Sequence, residues 1–171
     1  MIDFAAIMEH AFANRPYLSE VHGIEHWHQV EANGLLLAGR VAGVDVDVVR
    51  LFAIFHDSKR FDDGYDPEHG ARGAEFAREC REAKLFEIED ERFEKLYHAC
   101  KFHTHERRND DVTISTCYDA DRLDLGRVGF PLDPQKMATS FGSQIALLSL
   151  KQQVSVFAMR EWLRALPPDF R

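Results

Sequence analysis

The sequence predicts an all-α fold, and three observations favour that class. Positions His26, Val30, Gly34 and Leu37 recur at the spacing of one helical stripe. Clear loop signals are few, and the strongest is the Asp- and Gly-rich stretch 58–70. The length of 171 residues, with 45% hydrophobic and 29% charged residues, suits one soluble domain with one core. No internal repeat, low-complexity tract or linker divides the chain, so we expect one domain over residues 1–171.

Each expected helix follows from its own apolar spacing. After the helix that carries His26, the apolar run Leu51–Phe55 predicts a deeply buried central helix within 44–57. A strand is the alternative there, because Val44, Val46 and Val48 alternate with aspartates. The remaining helices are expected at about 68–83, 90–104, from near 110 to the glycine at 126, and 139–166.

Charge and cysteine usage exclude several classes of function. The net charge of −8 argues against broad binding to nucleic acid or to anionic membranes, but not against a small anionic substrate. Three cysteines, at positions 80, 100 and 117, form no C-x-x-C pair, so we expect buried thiols rather than disulfides or a cysteine zinc site. The first residues lack the basic region of a secretory signal, and no apolar run reaches the roughly 18–20 residues of a membrane span. These features predict a cytoplasmic protein.

Several histidines and aspartates fall on the inward faces of these helices. Asp121 shares a face with Ile114 and Cys117, and His103 shares one with Phe93 and Cys100. The full inward set comprises His26, His56, Asp57, His69, His103 and Asp121. One such histidine alone is more often a hydrogen-bonded core residue, and Asp121 alone could pair with a neighbouring arginine. Together, because an unpaired buried charge is costly, they predict a shared metal site inside a bundle. Mixed imidazole and carboxylate ligands suit Mn, Fe, Co, Ni or Zn better than Ca or Mg.

The order of these residues resembles the H…HD…D signature of the HD superfamily of metal-dependent phosphohydrolases. Four segments carry the resemblance over about residues 22–130: HWHQVEANGLLLA (26–38), LFAIFHDSKR (51–60), PEHGARGAEFA (67–77) and YDADRLDLGR (118–127). The resemblance implies a helical domain that cleaves phosphoesters or phosphoanhydrides of a nucleotide or a similar small phosphorylated molecule. It also implies that one ion is bound by His26, His56, Asp57 and Asp121. His69 and His103 resemble the ligands of a second ion, with Asp57 as the bridge, so a binuclear centre is expected.

Catalysis of this kind needs a metal that acidifies water and polarises the phosphoryl group, and cations that neutralise its oxygens. We expect Asp57 and Lys59 to be catalytic, because Lys59 follows the His-Asp pair closely in sequence. The candidates for binding substrate are Lys59, Arg60, Arg72, Arg122 and His22.

Some alternatives stay open from the sequence. His26 is favoured over His28 because His28 lies about 200° around the same helix. The segment HGIEH (22–26) also matches the H-x-x-E-H pattern of inverted zincins, although Gly23 suits such a helix poorly. Some related HD proteins are di-iron oxygenases, and a regulatory module without turnover is a further possibility. The substrate and the oligomeric state are not indicated.

Overall fold

A computed structural model describes residues 1–152 and residue 161, and all regular structure in that part of the chain is helical. The helices are α1 Phe4–Ala13, α2 Ile24–Ala38, α3 Val46–Phe55, α4 His69–Glu82, α5 Asp90–Phe102, α6 Val112–Arg122 and α7 Ser140–Gln152. The predicted all-α class is therefore confirmed. The expected continuation of the last helix from residue 153 towards 166 lies outside the described residues.

Helix α3 is the centre of the fold. The Asp45 side chain caps its first turn by accepting from the backbone amides of Asp47 and Val48. The side chains along 48–55, apart from the half-buried Arg50, are almost completely inaccessible, and the helix packs against α1, α2, α4, α5 and α6. The helical prediction is correct and the strand alternative is wrong, because a helix buries nearly every face of this run. The chain therefore places His56 at the end of its most buried helix.

Helices α2 and α6 lie side by side against α3. Gly34 permits this close packing, because a Cβ there would collide with the Val49 side chain and contact Ala120. The buried Asn33 side chain donates to the backbone carbonyl of Ala120 at 2.8 Å. The pairing places His26, in the first turn of α2, near the C-terminal end of α6, where Asp121 lies.

Two glycines bring helix α4 close to α3 and α5. A Cβ at Gly73 would collide with the backbone carbonyl of Phe55, and one at Gly70 would lie 2.5 Å from the carbonyl oxygen of Cys100. No larger residue fits at these positions without moving a helix. The close approach brings His69, the first residue of α4, to the end of α3.

The remaining boundaries differ from the sequence prediction at a few positions. Helix α5 ends at Phe102, and α6 ends at Arg122, before a short 3-10 turn over Leu125–Val128. Gly129 follows that turn with a φ of 83°, a left-handed conformation that favours glycine. The three cysteines are buried and free, as predicted. Among the described helices, none is both long and apolar enough to cross a membrane.

Candidate metal centre

Six histidine and aspartate side chains meet where the end of α3 approaches the ends of α2, α4, α5 and α6. This histidine–aspartate cluster consists of His26, His56, Asp57, His69, His103 and Asp121. All but Asp121 are buried residues, and the Asp121 side chain is 20% exposed. The residues that helical spacing placed on inward faces therefore lie together in the structure.

One half of the cluster gathers around His26. Its Nε2 atom lies 3.2 Å from His56 Nε2, 3.2 Å from Asp121 Oδ1 and 3.5 Å from Asp57 Oδ2. His56 Nε2 lies 3.8 Å from Asp121 Oδ1 and 3.7 Å from Asp57 Oδ2. His26, His56 and Asp121 thus form a group whose ligand atoms can hold one metal ion, with an Asp57 oxygen beside it.

The other half of the cluster gathers around the second carboxylate oxygen of Asp57. Asp57 Oδ1 lies 3.0 Å from His69 Nε2 and 3.8 Å from His103 Nε2, and the two Nε2 atoms are 3.0 Å apart. Asp57, His69 and His103 form a second group that can hold an ion. The two carboxylate oxygens of Asp57 therefore face the two halves separately.

The four imidazole rings of the cluster are each fixed by a hydrogen bond at Nδ1. The Nδ1 acceptors are Asp124 Oδ2 for His26, the Phe52 and Ala53 carbonyls for His56, the Asp66 carbonyl for His69 and the Cys100 carbonyl for His103. A carbonyl or carboxylate oxygen requires a proton on Nδ1, so the neutral tautomer carries its lone pair on Nε2. This is the arrangement of metal-binding histidines, in which a second partner sets the tautomer and the orientation of the ring.

The Nε2 atoms therefore face one another as acceptors. Lone pairs at 3.0–3.2 Å repel unless a proton or a metal ion lies between them. Asp57 Oδ1 is in the same position: it is buried and accepts no well-aligned hydrogen bond from any described residue, although His69 Nε2 is only 3.0 Å away. Buried polar atoms are rarely left this way. The donor set fits a divalent transition metal.

The electrostatics of the cluster show that it attracts positive charge. Burial lowers the pKa of His26, but hydrogen bonds to Asp121 and Asp124 outweigh this, and the pKa is raised to about 9. Burial lowers the pKa of His56 to about 3 against the opposing attraction of Asp57. Burial would raise the pKa of Asp57, yet the surrounding histidines hold it well below its usual value. The carboxylates of the cluster therefore favour positive charge on His26.

Arg60 lies against the cluster, whereas the adjacent Lys59 faces away from it. Arg60 is buried, and its Nη1 atom lies 3.6 Å from Asp57 Oδ1. The Lys59 ammonium points the other way: it donates to the Asn14 carbonyl at 2.6 Å and lies 3.7 Å from the centre of the Phe76 ring. The Lys59 side chain therefore points away from the cluster, because adjacent residues beyond a helix end project in different directions, and its expected role in catalysis and substrate binding stays a prediction.

Arg72 and Arg122 also serve the fold rather than the cluster. Arg72 donates to the Lys59 carbonyl and pairs with Asp66 at 2.5 Å, which braces the loop before α4. Arg122 donates to three backbone carbonyls, those of Glu106, Arg107 and Lys136. Loop carbonyls and a carboxylate therefore engage these two guanidinium groups, and their expected role in substrate binding stays a prediction.

His22 lies at the solvent side of the cluster. Its Nδ1 atom is 2.9 Å from Asp57 Oδ2, and its side chain is 21% exposed. His22, His26 and Asp57 form a third group whose atoms lie close enough to share an ion. Arg127, which the sequence indicated only as a possible partner of Asp121, reaches His22 Nδ1 at 3.3 Å.

Asp124 is the other functional candidate that sequence reasoning missed. It is buried, and it accepts from His26 Nδ1 at 2.8 Å while pairing with Arg127 at 3.3 Å. A signal was present, because Asp124 follows Asp121 by three residues and so continues the inward face of α6.

Other polar residues of these segments face away. His28 is exposed, as its phase predicts. Glu25 is also exposed, which removes the base that the inverted-zincin alternative requires. His98 lies away from the cluster and pairs with Glu106 at 2.9 Å.

A cavity of about 360 Å³ opens beside the second group. Its lining comprises Arg60, His69, Tyr65, Pro67, Thr104 and His105, together with the loop residues 64 and 66. A larger cavity of about 490 Å³, bordered by Arg40, Arg108 and Phe141, has no cluster residue in its lining. Of these two cavities, the smaller is the one that reaches the cluster, because His69 and Arg60 line it.

Comparison of the chain with protein-family models, curated proteins and solved structures gives no match. The buried cluster is compatible with an HD-type metal site, and the described elements that surround it are helices.

Proposed function

We propose that this protein is a metal-dependent phosphohydrolase of the HD type, which cleaves a phosphoester or phosphoanhydride bond in a small phosphorylated molecule. The observation that carries the proposal is the orientation of the cluster's histidines. Each has its Nδ1 atom bound to an oxygen, and each points its Nε2 atom at a shared aspartate. Imidazoles that are oriented in this way by a second partner, with Nε2 atoms converging on carboxylate oxygens, favour a bound cation.

The ion would be held by His26, His56, Asp57 and Asp121. A bound divalent ion of this kind polarises a phosphoryl oxygen and lowers the pKa of water, so that the nucleophile is available near neutral pH. Mn, Fe, Co, Ni and Zn suit these ligands. His69 and His103, with Asp57 as the bridge, would hold the second ion of a binuclear centre.

The chain's own residues supply the remaining functions. Asp57 orients both halves of the cluster through its two oxygens. His22 is partly exposed and hydrogen-bonded to Asp57, so it lies between the cluster and the solvent and can orient the Asp57 carboxylate. Arg60 presents positive charge between Asp57 and the cavity, where the oxygens of a phosphate would bind.

The size of the cavity favours a small substrate. Its volume of about 360 Å³ is in the range of small-molecule sites. The net charge of −8 disfavours a polymeric nucleic acid. A nucleotide or a similar phosphorylated metabolite fits both features.

The test is a panel of nucleotides and other phosphorylated metabolites, assayed for released phosphate with Mn²⁺, Co²⁺, Ni²⁺ or Fe²⁺. We expect hydrolysis with at least one ion, and we expect Asp57→Ala to lose both the bound metal and turnover. His28→Ala, which alters an exposed imidazole of the same helix as His26, is the matched control and should keep both. Full activity in Asp57→Ala would refute the assignment.

Two other functions are distinguished by the same panel. A di-iron oxygenase would consume dioxygen under Fe²⁺ and release no phosphate from any compound. A regulatory module would retain metal and bind a nucleotide without turning it over. Either result would refute the hydrolase proposal in favour of the corresponding function.

A further inference from the structure

Arg60 is held by its own loop in a fixed direction. Its Nε atom donates to the Asp62 carbonyl at 3.2 Å, and its Nη2 atom donates to the Gly64 carbonyl at 2.8 Å. The residue is 8% exposed. With these donors engaged and the side chain buried, the direction of Nη1 is set by the loop rather than by a freely rotating side chain.

That remaining nitrogen points into the second half of the cluster. Arg60 Nη1 lies 3.2 Å from both ring nitrogens of His69 and 3.6 Å from Asp57 Oδ1. His69 Nε2 and Asp57 Oδ1 are two of the ligand atoms that a second ion would need. The positive charge of the guanidinium therefore lies directly beside two of the atoms that a second ion would use.

We propose that the Arg60 guanidinium is a permanent positive charge beside the second group. This charge makes the second divalent ion bind more weakly than the first. The inference rests on the metal centre of the proposed function and refines its binuclear form. The first ion binds at His26, His56, Asp57 and Asp121 without opposition. The second binds beside the guanidinium and therefore against its positive charge.

The charge of the cluster explains why the two ions differ. Asp57 and Asp121 carry two negative charges, which one divalent ion balances when the histidines are neutral. Asp124 and Asp66 are already paired with Arg127 and Arg72. A second divalent ion beside a guanidinium that stays protonated adds uncompensated positive charge to a buried site, which is costly. An anionic substrate would supply the missing negative charge.

The test is a Mn²⁺ titration of the metal-free protein, followed by calorimetry and by electron paramagnetic resonance. We expect the wild-type protein to bind one ion tightly and a second at least about tenfold more weakly, because of the like charge of Arg60. At one equivalent the spectrum should be that of an isolated ion. Arg60→Met keeps the length of the side chain without its charge, so it should tighten the second site at least about tenfold. It should also show exchange coupling between bridged ions at two equivalents.

Arg50→Met is the matched control, because Arg50 pairs with Glu31 at 2.7 Å and contacts no cluster residue. It should bind Mn²⁺ as the wild type does. If Arg60→Met does not fold, the wild-type titration decides by itself: two ions of equal affinity would overturn the proposal. A second site that is unchanged in folded Arg60→Met would also overturn it.

These outcomes are separate from those of the hydrolase proposal. Metal counts that follow the expectation in a protein that hydrolyses no phosphate would leave the role of Arg60 standing and refute the activity. A wild-type protein that binds no transition metal would overturn both.

Discussion

The carboxylate of Asp124 accepts a hydrogen bond from Nδ1 of His26 at 2.8 Å, and His26 is the histidine around which the first half of the cluster gathers. Of the four cluster imidazoles, His26 is the one whose Nδ1 donates to a carboxylate, since the others donate to backbone carbonyls. A carboxylate partner fixes the tautomer and also makes Nε2 a stronger donor to a metal.

Removal of Asp124 should therefore weaken the first metal site without removing any ligand. We expect Asp124→Ala to lower the affinity for Mn²⁺ or Zn²⁺ by about 10–100-fold, the usual cost of losing such a partner. Asp124→Asn should lose less, because the amide oxygen can still accept from Nδ1. Competition with a metal-binding dye measures both. Asp133→Ala, which removes only a carboxylate that caps the Gln135 amide, is the control. Equal affinity in Asp124→Ala and wild type would contradict this role.

Metal binding should stabilise the folded chain, because the cluster is assembled only in the native state. An ion that binds the folded protein alone adds about 2.7 kcal/mol when it is present at about 100 times its Kd. We expect Mn²⁺, Co²⁺, Ni²⁺ or Zn²⁺ to raise the Tm in a thermal melt, with little effect from Ca²⁺, and a chelator to reverse the shift. Asp121→Ala should lose most of the shift and His28→Ala should keep it. A shift that persists in Asp121→Ala would place the ion elsewhere.

Gly73 sets the distance between α4 and the end of α3. A Cβ at this position would collide with the Phe55 carbonyl and lie 3.1 Å from that of His56. Because both obstacles are backbone atoms, Gly73→Ala should cost about 1–3 kcal/mol of overpacking. It should also move His69 away from Asp57 and weaken the second metal site. Gly126→Ala is the control, since nothing lies within 4 Å of its Cβ position. Urea denaturation and Mn²⁺ titration measure the two effects, and equal behaviour of the two variants would contradict the packing role.

Helical phase explains how much of the site the sequence could predict. His103 and Asp121 lie on helix faces whose other members are buried, such as Cys100 and Cys117, so an inward direction followed from spacing alone. The exposure of His28 followed in the same way. The fold class and the central helix were predictable for this reason.

The directions of the loop side chains were not predictable. Lys59 and Arg60 are adjacent beyond the end of α3, where helical spacing no longer applies, and one faces Phe76 while the other faces His69. Arg122 lies on a helix, but loop carbonyls distant in sequence occupy its guanidinium. The partners of such cations are set by tertiary packing, which a single sequence does not specify.

The acid stability of the chain should depend on Asp45, the residue that caps α3. Its carboxylate pairs with Arg92 at 2.5 Å and also accepts two helix amides. Burial raises the pKa of Asp45, but the hydrogen bonds from Arg92 outweigh it and the pKa is lowered. A lowered pKa means that the ionised form stabilises the fold above the unfolded pKa of about 3.9, and that this contribution disappears as the pH falls through the folded pKa.

Asp45→Asn keeps an oxygen for the cap but loses the charge. Its deficit in the free energy of unfolding against wild type at pH 7 should therefore vanish in strong acid. Asp45→Ala should keep a deficit of about 0.5–2 kcal/mol even there, because the cap itself is lost. Denaturant unfolding across the acid range measures both differences, and a deficit in Asp45→Asn that does not change with pH would contradict the role of the ion pair.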